Sequence, residues 1–304
     1  MRLTPDDLAY LSECAISAAK QAGHVIESYA NRTVSVQHKS GGDTLASQVV
    51  TEVDLLSEAA IIKMLQPACE RYDIALLTEE STDDKTRLLK DYFWCVDPLD
   101  GTLQFIESTP GYAVSIALVS QSGTPVIGVI YDPVTQSLYS AVKGQGVLRN
   151  GMSWTISSSS QQQRPLTLMC DCGLLQQPYY PHLLKALKAM AKQFGLAGLQ
   201  VFQQGGAAMN ACWALENSPA CYFKCPKSEE GGGSLWDFAA TAAIFNELSA
   251  VASDFYGQAL ELNRKDSTFM NHRGVIFATD QALATNIQGL LELCTTGQEK
   301  TRPA

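Results

Sequence analysis

Apolar positions at the start of the chain recur at helical spacing. Leu8, Leu11, Ala15, Ala18, Ala22, Val25, Ile26 and Tyr29 fall on one face. Thr4 can cap that helix, Pro5 suits its first turn, and Asp7 completes a capping box. A second helix is predicted from about Leu55 to Leu65, with Asp54 as its N-cap and Pro67 closing it. Ile74 to Leu77 and Tyr92 to Val96 read as short apolar strands, the first running into Glu79 and Glu80, the second into Asp97.

The texture changes after Tyr112. Tyr112–Val119, Val126–Tyr131 and Leu138–Val142 are strands separated by turn signals such as Ser122-Gly123 and Asp132-Pro133, which predicts an antiparallel meander. Ser157 to Pro165 is polar and of low complexity, a linker by composition. Beyond it strands and helices alternate. Strands are predicted at Leu166–Cys170, Leu199–Phe202, Ala220–Phe223 and Val275–Ala278, and helices at Tyr180–Phe194, Ala207–Leu215, Leu235–Leu248 and Gln281–Cys294. The pattern describes a layered α/β protein with an N-terminal lobe over 1–156, a C-terminal lobe over 166–294 and a loose tail over 295–304.

Composition narrows the function classes. The chain has 304 residues, 46% hydrophobic and 17% charged, enough to bury a core. No apolar run approaches the ~20 residues that cross a bilayer, and Asp6 and Asp7 stand where an export signal would be basic. A cytoplasmic protein without a membrane partner is expected. The net charge of -9 repels nucleic-acid backbones, so no nucleic-acid polymer is expected as partner. The nine cysteines have no paired metal spacing and are expected to be reduced, small apolar residues.

The candidate chemistry lies in Asp97-Pro98-Leu99-Asp100-Gly101-Thr102. Two carboxylates follow a strand, Pro98 forbids helix continuation, and Gly101 lets the backbone approach a ligand. Acids held together repel unless a cation lies between them, and a hard ion such as Mg²⁺ suits carboxylate and carbonyl oxygens. An ordinary Asp-Pro/Asp-Gly turn explains the same residues without a ligand. Two further acidic sites favour the cation. Parallel packing of the two early strands would bring Glu79–Glu80 to the sheet edge that carries Asp97. Asp237 opens an apolar helix after Gly231-Gly232-Gly233, although alone it would simply cap that helix. Asp54, too, is a cap by default. No cationic side chain stands near Glu79, Asp97, Asp100 or Asp237 in the sequence to neutralise them.

Taken in order, Val50-Thr51-Glu52-Val53-Asp54, Thr78-Glu79-Glu80-Ser81, Asp97-Pro98-Leu99-Asp100-Gly101-Thr102 and Trp236-Asp237 resemble the motifs of the inositol monophosphatase superfamily, which are magnesium-dependent, lithium-sensitive phosphatases. The resemblance runs from the first helix to about Ala278. It implies a layered α/β sandwich of the inositol monophosphatase and fructose-1,6-bisphosphatase type. It also implies two or three Mg²⁺ ions per site, a small-molecule phosphate ester as substrate, and catalysis by metal-activated water; a homodimer is the expected assembly.

Carried over by position, Glu79, Asp97 and the Leu99 carbonyl would hold one ion, and Asp97, Asp100 and Asp237 a second. Thr102 and Asp54, with Glu79 in the same catalytic set, would orient and deprotonate the attacking water. Gly101 and Thr102 would offer N–H groups to phosphate. Gly206, Ala207 and Glu230 would face the rest of the substrate.

This chain departs from the family pattern at Thr78, where many members have Gly, and at Leu103-Gln104, which matches neither the inositol nor the nucleotidase branch. Gly144-Gln145-Gly146 with Asn150-Gly151, Gly206-Ala207-Ala208-Met209-Asn210 and Glu230 lean toward the inositol branch, so inositol monophosphate is the expected substrate. The alternative is 3'-phosphoadenosine 5'-phosphate, whose second phosphate would need Lys224, Lys227, Arg264 or Lys265. A catalytically silent binding protein would be expected to lose a metal ligand, and this chain keeps them all. A haloacid-dehalogenase mechanism has no nucleophile, because Pro98 stands where its aspartate would.

Overall fold

A computed structural model of the chain describes residues 2–30, 32, 36–38, 49–156 and 164–296. Most of the Ser157–Pro165 linker and of the tail lies outside the described residues.

Helix α1 (Pro5–Tyr29) starts where its capping residues dictate. Thr4 Oγ1 accepts from the Asp7 N–H at 3.2 Å, and the Asp7 carboxylate accepts from the Thr4 N–H at 2.9 Å. Strands β1 (Val36–His38) and β2 (Val49–Thr51) pair antiparallel and lead into α2 (Glu52–Tyr72). This second helix differs from the sequence expectation at both ends. Its cap is Thr51, and Asp54 is the third helical residue, closing a capping box. Pro67 lies inside it, and the helix runs on to a left-handed Asp73. The interior proline gives up one backbone hydrogen bond, and burial of Leu65, Ala68 and Tyr72 offsets that loss.

Strands β3 (Ala75–Thr78), β4 (Tyr92–Asp100), β5 (Ala113–Ser120), β6 (Pro125–Asp132), β7 (Ser137–Val142), β8 (Gly146–Arg149) and β9 (Met152–Trp154) form a seven-stranded sheet in sequential order. Only β3 and β4 run parallel within it; the remaining neighbours are the antiparallel meander that the turn signals predict. A short helix, α3 (Thr102–Ile106), follows β4.

The second half builds a five-stranded sheet in the order β11-β10-β12-β14-β13, from β10 (Leu166–Met169), β11 (Leu199–Phe202), β12 (Ala220–Lys224), β13 (Val251–Ser253) and β14 (Val275–Ala278). Its helices are α4 (Tyr180–Gln193), α5 (Ala207–Glu216), α6 (Leu235–Glu247), α7 (Gln281–Gln288) and α8 (Leu291–Thr296). The one helix expected over 281–294 is thus two, parted at Gly289 and Leu290. β13 was not expected, since a strand of three residues is too short to carry a periodicity.

The layers stack as helix, sheet, helix, sheet, helix. α1 and α2 cover one face of the larger sheet, while α6 lies on the other with α5 beside it, reaching the smaller sheet. β5 shows the division. Val114, Ile116 and Leu118 join the core under α1 and α2, whereas Ala113, Ala117 and Val119 join the core that contains α5 and α6. The alanine-rich face of α6 comes close to β6: a Cβ at Gly128 would lie 2.2 Å from the Ala240 carbonyl oxygen. That approach fixes the height at which α6 presents its first turn.

Cys225, just beyond β12, and Cys294 in α8 form a disulfide, which corrects the expectation of wholly reduced cysteines. The pair is 69 residues apart, so local spacing gives no sign of it. No helix among the described residues is long and apolar enough to cross a membrane.

Candidate active site

The parallel register Thr78↔Val96 sets Glu79 and Asp97 next in line on neighbouring strands, and the Glu79 N–H donates to the Val96 carbonyl at 3.1 Å. The β4–β5 pairing then slips between Asp97 and Asp100, where Pro98 has no N–H to give. Across that irregularity, oxygens of Asp97, Asp100 and Asp237 come within 4.8 Å of one another. Asp237 arrives from the first turn of α6. Its Oδ2 accepts from the Ser234 N–H at 2.9 Å, and Ser115 Oγ of β5 holds the Trp236 carbonyl at 2.9 Å. So helix capping, the default reading of Asp237, coexists with membership of the acidic cluster.

Asp100 is clasped by the start of α5. Its carboxylate accepts from the Ala207 N–H at 3.1 Å and the Ala208 N–H at 2.8 Å. Gly206 permits this contact, because a Cβ there would lie 2.5 Å from Asp100 Oδ2 and 2.8 Å from Gly101. Gly101 itself sits at φ 85°, in the left-handed region, and lets the chain turn from β4 into α3.

The electrostatics are those of acids crowded together in a buried place. Burial, then Glu79, Asp100 and Asp237, push the Asp97 carboxyl well above the usual carboxylate range. Burial and Asp237 raise Asp100 to about 8, against the pull of the α5 N–H groups. Asp237 is raised by burial, against Lys224 and the Ser234 N–H. Three carboxylates and the neighbouring Leu99 carbonyl are hard oxygen donors, and their self-repulsion is what a divalent cation would relieve. The donor set fits a metal of the Mg²⁺ type.

Beside the cluster lies a second buried unit. Thr102 Oγ1 is 3.0 Å from Asp54 Oδ1 and 3.1 Å from the Leu99 carbonyl, and can donate to either. Asp54 Oδ2 accepts from both the N–H and the hydroxyl of Thr51, at 2.8 and 2.6 Å. Burial, partly offset by Thr51, raises the Asp54 carboxyl, with Glu79 adding to the rise. Residues 48 apart in sequence are thereby joined.

Two arrangements escaped the sequence reading. Glu58, one turn after Asp54 on the same buried face of α2, accepts from the Glu80 N–H at 2.9 Å and from the Ser81 hydroxyl, shaping the loop that carries Glu79. Its signal was an acid pair four apart on an otherwise apolar helix face. The second arrangement surrounds Asp171, which follows the apolar β10 as Asp97 follows the apolar Phe93–Val96 of β4. It accepts from Asn210 Nδ2 at 3.1 Å and the Tyr222 hydroxyl at 3.0 Å, and pairs with Lys224 Nζ at 2.9 Å. Lys224 also acts on Asp100 and Asp237, so the expectation of a cluster with no cation at hand is corrected. It ends the strand that precedes the Asp237 loop, thirteen residues away in sequence but adjacent in space. Glu230 is exposed on that loop.

Stacked sheets with a cluster of carboxylates that could hold a metal ion fit the class of metal-dependent phosphatases. The chain belongs to the inositol monophosphatase family, whose model matches residues 7–295. It is similar to the Nus factor SuhB of Haemophilus influenzae, 31% identical over 247 residues that cover 79% of this chain and 84% of that protein. It is also similar to inositol monophosphatase 2 of Solanum lycopersicum, 28% identical over 254 residues, 83% of this chain and 90% of that one. In fold it matches the extragenic suppressor protein suhB from Bartonella henselae with a TM-score of 0.69, at 24% identity over 92% of this chain and 97% of that one.

Proposed function

We propose that the protein is a Mg²⁺-dependent phosphomonoesterase that hydrolyses a small phosphorylated metabolite. The observation that carries this reading is the meeting of Asp97, Asp100 and Asp237 within 4.8 Å, beside a buried Asp54–Thr102 pair. Glu79, Asp97, Asp100, Asp237 and the Leu99 carbonyl would hold two or three ions. Bound Mg²⁺ supplies the positive charge that lets an acidic site accept a phosphate dianion and makes water acidic enough to attack phosphorus. Thr102 Oγ orients the water, and Asp54, hydrogen-bonded to that hydroxyl, takes the proton; its raised affinity for protons suits a base. The N–H groups of Gly101 and Thr102 receive phosphate oxygens where β4 turns into α3. Gly206, Ala207 and Glu230 would face the remainder of the substrate.

Inositol monophosphate is the substrate favoured by the sequence, with 3'-phosphoadenosine 5'-phosphate as the alternative; one centre of this kind serves both. Inhibition by Li⁺ in the millimolar range, a cytoplasmic location and a homodimeric state complete the reading. A silent relative acting as a binding protein is disfavoured, since every carboxylate of the centre is kept. The test is phosphate release from a panel of inositol, sugar and nucleotide phosphates, before and after chelation. Turnover restored by Mg²⁺ supports the proposal, and no release from any ester with Mg²⁺ present overturns it.

A further inference from the structure

Lys224 occupies a place that the phosphate chemistry does not explain. It ends β12, and continuing the parallel register Met169↔Tyr222 by two residues sets it opposite Asp171 at the same edge of the smaller sheet. Its ammonium pairs with Asp171 Oδ2 at 2.9 Å and lies 5.6 Å from the centre of the Phe238 ring, the residue after Asp237. Its charge is felt at both Asp100 and Asp237. The side chain is 21% exposed and that of Asp171 34%, so the pair borders the site and a ligand can reach it.

Asp171 does not need Lys224 for satisfaction alone, because Asn210 and Tyr222 already donate to its other oxygen. Those two residues fix the carboxylate, and the carboxylate in turn fixes the ammonium. α5 ties this arrangement to the metal centre: the N–H groups of Ala207 and Ala208 hold Asp100, and the side chain of Asn210, in the same first turn, holds Asp171. Once the acids are neutralised by metal, the ammonium retains one carboxylate partner and has donors to spare. A neutral polyol gains little from such a group. A phosphate or carboxylate gains a charge-assisted hydrogen bond from it. Two of the other cations named from the sequence are placed differently: Arg264 lies on Asp266 and the Phe269 carbonyl, and Lys265 is exposed.

We infer that Lys224 is a specificity-determining residue that binds a second anionic group of the substrate, and that Asp171 positions it. The substrate class is then a small phosphate monoester carrying a further phosphate or carboxylate away from the reacting ester, which moves the choice from inositol monophosphate to the bisphosphate alternative. This rests on the phosphomonoesterase reading.

The experiment compares matched esters that differ by one phosphate: adenosine 3'-phosphate with adenosine 3',5'-bisphosphate, and inositol 1-phosphate with inositol 1,4-bisphosphate. The full-length wild type, Lys224→Met, Lys224→Arg and Asp171→Asn are assayed with saturating Mg²⁺. On at least one scaffold the wild type is expected to favour the bisphosphate at least tenfold in kcat/KM, through KM. Lys224→Met should abolish that preference, Lys224→Arg should keep most of it, and Asp171→Asn should weaken it in the same sense. Equal preference in the wild type on both scaffolds overturns the inference while leaving the phosphatase reading intact. So does an equal loss on both members of a pair in Lys224→Met, which would make the lysine a counter-charge only. No release from any of the four esters overturns the phosphatase reading itself.

Discussion

An apolar strand that runs into an aspartate occurs twice in this chain, and the two aspartates meet different surroundings. Asp97 follows the buried Phe93–Val96 of β4 and faces Glu79, Asp100 and Asp237. Asp171 follows the buried β10 and Cys170, and receives Asn210, Tyr222 and Lys224. The motif delivers a carboxylate to a sheet edge in both cases. What the neighbouring elements bring decides whether that carboxylate completes an ion pair or joins a centre that calls for an added cation. The two meet through α5, which donates to Asp100 from its backbone and to Asp171 from Asn210.

The sharpest way to probe this contrast is to neutralise each acid in turn. Asp97→Asn should lower kcat/KM at least a thousandfold, roughly 4 kcal/mol of transition-state stabilisation, with the far-ultraviolet circular dichroism unchanged. Asp171→Asn should cost only about tenfold on the preferred ester, ~1.4 kcal/mol. Losses of the same size at both positions would break the distinction.

Next in size is the Asp54–Thr102 pair. Thr102→Ala should reduce kcat about a hundredfold, within the range for a lost proton-transfer partner, and Thr102→Ser should recover most of it. A serine variant as slow as the alanine one would show that the methyl group, not the hydroxyl, matters there.

A smaller effect concerns pH and the metal-free protein. Asp97 and Asp100 hold their protons more tightly folded than unfolded, Asp100 up to about 8. As pH rises above ~4 the unfolded chain ionises these groups while the folded one does not. Their contribution to stability is therefore complete below that pH and is lost as pH passes through about 8 for Asp100. The chelated protein should melt roughly 5 °C lower at pH 8.5 than at pH 5.5, the scale of ~1–2 kcal/mol in a chain of this size. Asp97→Asn should flatten that slope. Scanning calorimetry in matched buffers gives the answer, and an equal slope in wild type and variant would remove the cluster as its cause.

The smallest substitution is Gly206→Ala. The added Cβ would press on Asp100 Oδ2 and the Gly101 backbone. A loss of about 1–3 kcal/mol, typical of overpacking, is expected from denaturant melts, together with weaker Mg²⁺ binding by calorimetry. Unaltered affinity would mean that α5 does not hold Asp100 in place.

Much of this was legible in the residues. The capping box at Thr4, the strand-then-acid segments and the Trp236-Asp237 helix start are local patterns, and they led to the right elements and to the acids that converge. Pro67 misled because tertiary burial carried α2 past it. The N-cap assigned to Asp54 was off by one turn because Thr51 and Asp54 share the box and both look like caps. The Lys224–Asp171 and Cys225–Cys294 pairs stayed hidden for a common reason: the partners come from distant segments, and nothing in the local spacing points to them. Glu58 was visible in principle, four residues after Asp54 on a buried face.

The central claim is that Asp97, Asp100 and Asp237 form a site completed by a divalent cation. It is tested most directly by titrating Mg²⁺ into chelator-stripped wild type and Asp97→Asn at pH 7.5 while following the melting temperature and phosphate release together. A saturable rise in melting temperature is expected for the wild type, up to ~2.7 kcal/mol of stabilisation at a hundredfold excess over Kd, with turnover appearing over the same concentrations and neither effect in the variant. A wild type whose melting is indifferent to Mg²⁺ and whose turnover survives exhaustive chelation would contradict it.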